Sequence, residues 1–146
     1  MTERVDFYVL KNADARARHV FACRLTEKAY LKQHSVLLLA ADEEQARELD
    51  ELLWTFDDGS FVPHQLLHAG AQPDPLTPVS IALDAQAPVS AGLVLNLVGR
   101  DPDALTRFTR VAEILDEDPE RRRLGRERFK VYREKQIPLE THQLNE

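Results

Sequence analysis

Residues Ser35–Ala40 read SVLLLA, and after the serine no position in the run is polar. A strand with one wet face alternates apolar and polar residues, so an unbroken apolar run of this length predicts a strand covered on both faces, as in the interior of a parallel sheet. The flanking segments agree. Arg4–Leu10 alternates Val5, Phe7 and Val9 with Asp6 and Tyr8, and Asn12 offers an N-cap for a long helix over ADARARHVFACRLTEKAYLKQ, with Phe21, Ala22, Leu25 and Ala29 on its core side. Beyond the apolar run, Asp42 and Gln45 form a capping-box-like start to a second helix in which Ala46, Leu49, Leu53 and Phe56 share a side. The order βαβα implies an α/β fold with a mainly parallel sheet flanked by helices.

After Phe56 the pattern gives way to DDGSFVPHQLLHAGAQPDPLTP, a long stretch with glycine and proline of the sort that carries function. Val79–Leu83 and Leu93–Val98 then read as strands separated by DAQAPVSAG, a turn or a hairpin extension. Asp101 with Pro102 predicts a helix carrying Leu105, Phe108, Ala112 and Leu115, and Asp118 with Pro119 opens a last helix over about 119–136 that Ile137-Pro138 ends. With 146 residues and no internal repeat, the expectation is one domain spanning 1–146.

The last helix carries an unusual charge. Arg121–Lys135 holds eight of the nineteen Lys and Arg residues in a chain whose net charge is −6. At 3.6 residues per turn Arg122, Arg126, Phe129, Lys130 and Arg133 fall on one face, with Leu124 and Val131 opposite. Cations around an aromatic ring suit an acidic peptide with a hydrophobic anchor, and they equally suit a solubilising face whose ring packs on a neighbour. Trp54, Phe56, Phe61, Val62 and Pro63 gather apolar surface where the second helix ends and in the loop after it, either as an interface or as closure over the sheet.

Several chemistries are missing. The first strand-to-helix turn, LKNADARAR, has no glycine to let a backbone approach phosphate, so a Rossmann-like frame here lacks its nucleotide-binding loop, and no cofactor is implied. His64 and His68 in HQLLH stand four apart, as two metal ligands on a helix would, but a third ligand is not evident and the expectation is no metal. Cys23 is a solitary cysteine inside an apolar helix face, Ser60 lacks a nucleophile-elbow setting, and no catalytic constellation is present. The overall negative charge disfavours strong direct binding to DNA, and no apolar stretch suits a membrane. The N-terminus enters the strand pattern directly, without a secretory or transit signal, which predicts a cytoplasmic protein.

The segments DFYVL, FACRLTEKAY, ADEEQARELDELLWTF, GSFVPHQL, LVLNL and GRERFKVYR occur in this order over nearly the whole chain. In this the sequence resembles the chi subunit family of the bacterial DNA polymerase III holoenzyme. The resemblance implies a noncatalytic clamp-loader accessory protein with a Rossmann-like fold. It also implies a site on the last helix for the acidic C-terminal tail of single-stranded DNA-binding protein, which ends in a phenylalanine carboxylate. The family's arginine, aromatic and lysine positions fall on Arg126, Phe129 and Lys130, to which helical geometry adds Arg122 and Arg133. A second surface, for the psi subunit, falls on Trp54, Phe61, Val62, Pro63 and His64, and a repair helicase is a further partner that the resemblance suggests. Two residues depart from the family pattern: Phe129 stands where many members have tyrosine, and Gln136 where a glycine is common. The competing reading is a direct nucleic-acid-binding module that uses the basic C-terminal helix.

Overall fold

The computed structural model describes residues 1–11, 14–90 and 92–144. In chain order the elements are β1 (Arg4–Val9), α1 (Ala15–Leu31), β2 (Val36–Leu39), α2 (Glu43–Thr55), β3 (His64–Leu66), β4 (Val79–Ala82) and β5 (Leu93–Leu95). A single 3₁₀ turn at Pro102–Leu105 follows, then β6 (Arg110–Leu115), α3 (Pro119–Glu134) and β7 (Leu139–Gln143). The strands make one parallel sheet in the order β3-β4-β2-β5-β6-β1-β7.

The all-apolar run behaves as its pattern demands. β2 lies between β4 and β5, with Leu38 opposite Ile81 and Leu95. Val36 and Leu38 join a core with Ala22 and Cys23 of α1 and Leu49 and Leu53 of α2, whereas Leu37 and Leu39 join Leu105, Phe108 and Tyr132 on the other side. Burial of each such leucine contributes about 1.5–3 kcal/mol, which a half-exposed strand would forgo. The sheet is therefore covered by α1 and α2 on one face and by α3 and the 3₁₀ turn on the other.

Helix starts follow local chemistry. Asp42 accepts from the Gln45 amide at 2.8 Å, and Gln45 Oε1 reaches back to the Ala41 amide at 2.7 Å. For α1 the cap is Asp14, which accepts from the Arg16 amide at 3.0 Å; the expected cap, Asn12, lies outside the described residues. Both α1 and α3 end in the same left-handed turn. Gln33 has φ 66° and Gln136 φ 61°, and in each turn the two following amides bond back to the last helical carbonyls: Gln33 to Tyr30, His34 to Ala29, Gln136 to Arg133 and Ile137 to Tyr132.

Three expectations fail. The helix predicted from Asp101 stops after one 3₁₀ turn, and Ala112 and Leu115 lie on β6 instead. Every residue of β6 after Arg110 is buried, so a spacing of 105, 108, 112 and 115 fits a helix and a strand covered on both faces alike, and the β-branched Val111 and Ile114 favour the strand. The segment after Pro63 is not wholly irregular, because His64–Leu66 forms the edge strand β3 beside β4. And β4 and β5 run parallel, so the segment between them is no hairpin extension; it holds a turn, in which the Ala87 amide donates to the Asp84 carbonyl at 3.1 Å, and it belongs to a crossover with no helix among the described residues. Arg107 makes that crossover tenable by donating to the carbonyls of Ala85, Ala87 and Val89 at 2.8–3.1 Å, which gives partners to backbone groups that no helix satisfies.

Candidate protein-binding surfaces

α3 sits on the sheet through polar groups. Its buried stripe is Gly125, Arg128 and Tyr132, at i, i+3 and i+7, whereas Leu124 is exposed. At Gly125 the helix comes so close that a Cβ would lie 2.7 Å from Leu115 Cδ1. Arg128 pairs with Glu113 of β6, which is fully buried, through Nε at 3.2 Å and Nη2 at 3.0 Å. The Tyr132 hydroxyl donates to Glu113 at 2.8 Å, and Asn96 Nδ2 donates to the same carboxylate at 2.9 Å, so each oxygen of the buried carboxylate is satisfied. Burial, with Glu113 beside it, pushes the Tyr132 phenol far above its ordinary range and keeps it a donor. Sequence reasoning missed Arg128 and Glu113; the trace they leave is the Gly125, Arg128, Tyr132 stripe.

The basic run is then sorted by what each cation touches. Arg121 pairs with Asp116 at 2.7 Å, Arg122 donates to the Asp116 carbonyl at 2.6 Å, Arg123 pairs with Glu120 and Glu127, Arg128 with Glu113, and Lys135 with Asp103. Among the described residues, Arg126, Lys130 and Arg133 make no ion pair, and they stand at i, i+4 and i+7 on the outer face. Phe129 lies at the border between the two faces. It is half-buried, edge-on to Phe7 with ring centroids 5.3 Å apart, and the Arg133 guanidinium stands 6.0 Å from its centroid. Ile137 and Leu139 are half-buried against the same core, which extends the apolar ground beside Phe129. The five residues picked by spacing therefore separate into three outward cations, one shared ring, and Arg122, which braces the turn before the helix.

The second group lies where α2 ends. Trp54 is 46% exposed and Phe61 69%, and their rings are 5.5 Å apart. Val62 is fully buried and Pro63 half-buried, so only part of the expected set faces outward. The His64 ring is buried beneath Trp54, at 4.3 Å between centroids, with its nitrogens 2.7 Å from the Val62 carbonyl and 3.0 Å from Asp50. Val62 and His64 thus set the height and tilt of Trp54 and Phe61 rather than offering surface themselves. The chain on either side of Trp54 and before Phe61 is acidic, with Asp50, Glu51, Asp57 and Asp58, the last three exposed.

The other candidate chemistries find little support. His64 and His68 lie in and after β3, not on a helix, and they turn to different acids, Asp50 and Glu43. Asp6, Glu140 and His142 could bring ligand atoms within 4.8 Å of one another, but Asp6 already accepts from Arg4, Arg110 and His142. Burial pushes the Cys23 thiol up to about 12, which makes it a poor nucleophile. At the carboxyl ends of the strands, where doubly wound folds hold ligands, Arg18 fills space by donating to the carbonyls of Ile114 at 2.8 Å and Leu97 at 2.5 Å; burial lowers its pKa to about 10. No helix among the described residues is long and apolar enough to cross a membrane.

Comparison with known proteins gives a likeness of fold and a family. Over its whole length the fold is similar to part of the crystal structure of T4 UvsW, with a TM-score of 0.67 at 7% identity, covering 98% of this chain and 42% of that one, a likeness of fold alone. In sequence the chain is 42% identical over 141 residues to the DNA polymerase III subunit chi of Pseudomonas aeruginosa, covering 97% of this chain and 96% of that protein. It is 33% identical over 132 residues to the chi subunit of Escherichia coli, covering 87% and 88%, and 31% identical over 134 residues to that of Haemophilus influenzae, covering 91% and 92%. The family model described as DNA polymerase III chi subunit, HolC, matches residues 1–140, and the chain belongs to that family.

Proposed function

We propose that the chain is a noncatalytic adaptor of the replication machinery that binds two protein partners on separate surfaces. The outer face of α3 takes the acidic C-terminal tail of single-stranded DNA-binding protein, with Arg126 and Lys130 on the carboxylates, Phe129 against the terminal phenylalanine, and Arg133 and Arg122 at the margins. Trp54 and Phe61, supported by Val62, Pro63 and His64, take the psi subunit of the clamp loader, with a repair helicase as an alternative occupant. Membership of the chi family supports the role, and one observation supports the tail site: among the described residues Arg126, Lys130 and Arg133 make no ion pair, while the other cations of the run are engaged within the fold. An unengaged cation beside half-buried apolar ground offers carboxylates a charge-assisted contact without first breaking an internal one.

Calorimetry with three ligands tests the proposal: a synthetic acidic tail ending in phenylalanine, the same tail without that residue, and labelled single-stranded DNA. The adaptor role requires preference for the intact tail. Equal binding of both tails, or DNA binding that exceeds either, would move the assignment to a direct nucleic-acid-binding module.

A further inference from the structure

At the amino ends of the strands, opposite the end where doubly wound folds hold ligands, a cavity of about 470 Å³ opens beneath the last turns of α1. Its size is that of a small-molecule site. Tyr8, Leu25, Ala29, Leu93 and Ala112 give it apolar walls. Lys28, Lys32, His34 and Arg110 give it basic ones, in a chain whose net charge is −6. The acidic residue on the wall, Asp6, is held on both oxygens by Arg4, Arg110 and His142, so it does not cancel the lysines. Arg110 gives Nη2 to Asp6, and its side chain is still 42% exposed.

We infer that this cavity binds a small apolar anion: a ring or short hydrocarbon seated against Leu25, Ala29 and Leu93, with a carboxylate or sulfonate turned toward Lys28, Lys32 and Arg110. Apolar walls without cations would favour neutral ligands, and cations without walls would hold anions only by screened surface contacts. Here the two coincide in one cavity. It lies on the α1 side of the sheet, whereas α3 covers the opposite side, so this binding is independent of the tail site.

The full chain titrated with 8-anilinonaphthalene-1-sulfonate, followed by fluorescence and by amide and methyl shifts, is the test. Shift changes at Leu25, Ala29, Leu93 and Ala112 are expected, together with weaker binding of N-phenyl-1-naphthylamine, which has the same rings without the anion. Lys28→Gln combined with Lys32→Gln, both at exposed positions, should weaken the sulfonate probe about fivefold, the scale of two partly screened charge contacts. Arg47→Gln, an exposed charge on α2 away from the cavity, should leave it unchanged. Shifts confined to Trp54 and Phe61 or to α3, equal affinity for the charged and neutral probes, or equal effects of the lysine pair and Arg47→Gln would each overturn the inference.

Discussion

Phe129 is held half-buried against Phe7 and is flanked by outward cations, whereas Trp54 and Phe61 stand out from the surface on a stretch of chain that carries Asp50, Glu51, Asp57 and Asp58. On α3 the sheet covers one side of the ring and leaves the other open, so apolar contact there is confined to a small area and acts together with the charges around it. At the end of α2 the exposed aromatic area is large and the charge along the adjoining chain has the opposite sign. Under the proposed function, the two surfaces would suit partners of unlike chemistry, and neither would easily stand in for the other. The supports differ as well: α2 rests on Leu49, Leu52 and Leu53, but α3 rests on an arginine and a tyrosine around one buried glutamate and on a glycine against Leu115.

That difference in support gives the largest expected effect. Arg128→Met keeps the bulk of the side chain and leaves Glu113 buried with only Tyr132 and Asn96, so stability should fall by about 3–5 kcal/mol in chemical denaturation. Adding Glu113→Gln to that variant should recover part of the loss, because the uncompensated charge is then gone. The loosened α3 should lose tail binding while psi binding persists. Equal loss of both in the folded double variant would show that the two surfaces are coupled through the sheet.

Next in size are the separable contributions on α3. Arg126→Ala should weaken the intact tail roughly tenfold at low salt, about 1.4 kcal/mol, and Lys130→Ala less, since an ammonium matches a carboxylate less closely than a guanidinium does. Both effects should shrink as salt is added. Phe129→Ala should weaken the intact tail sharply and matter little for a tail that lacks its terminal phenylalanine. If calorimetry gives it the same cost with both tails, the ring is only part of the seat of α3, in keeping with its packing on Phe7.

How much of this could be read in advance depends on whether a signal is local. The all-apolar β2, the Asp42 cap and the Asp118-Pro119 start of α3 are each dictated within a few residues, and all three are where the pattern puts them. β6 is different, because burial on both faces erases its period, and β3 and β7 are short edge strands whose identity comes from β4 and β1 beside them. On α3 the spacing puts Arg122, Arg126, Phe129, Lys130 and Arg133 on one face, yet it does not reveal that Arg122 is turned to the Asp116 carbonyl or that Glu113 is buried. Val62 and His64 belong to a motif with two exposed aromatics, and only the packing of the loop over α2 separates support from surface.

A smaller effect is expected at the other surface. Phe61→Ala removes a ring that is mostly in water, so stability should change by less than about 0.5 kcal/mol, while affinity for psi or a helicase falls by about 1–2 kcal/mol. That loss should persist at high salt, in contrast to Arg126→Ala, and tail binding should stay intact. A folded Phe61→Ala protein that binds the tail as weakly as Arg126→Ala does would refute the division between the surfaces.

The smallest expected effect is at Gln136, where the chain leaves α3. With φ at 61°, Gln136 occupies a left-handed conformation in which glycine carries no Cβ penalty, and its amide and that of Ile137 close the helix onto Arg133 and Tyr132. Gln136→Gly should therefore stabilise the protein by at most about 1 kcal/mol, a gain of roughly 2–4 °C in Tm for a chain of this size. Gln33 ends α1 in the same turn with φ 66°, so Gln33→Gly should give a similar gain. The pair isolates the geometry of α3. If Gln136→Gly also changes tail affinity while Gln33→Gly does not, the turn positions Phe129 and Arg133 for the tail. If the two variants raise Tm alike and leave both partners unaffected, the outer face of α3 is set by its seat on Glu113 alone.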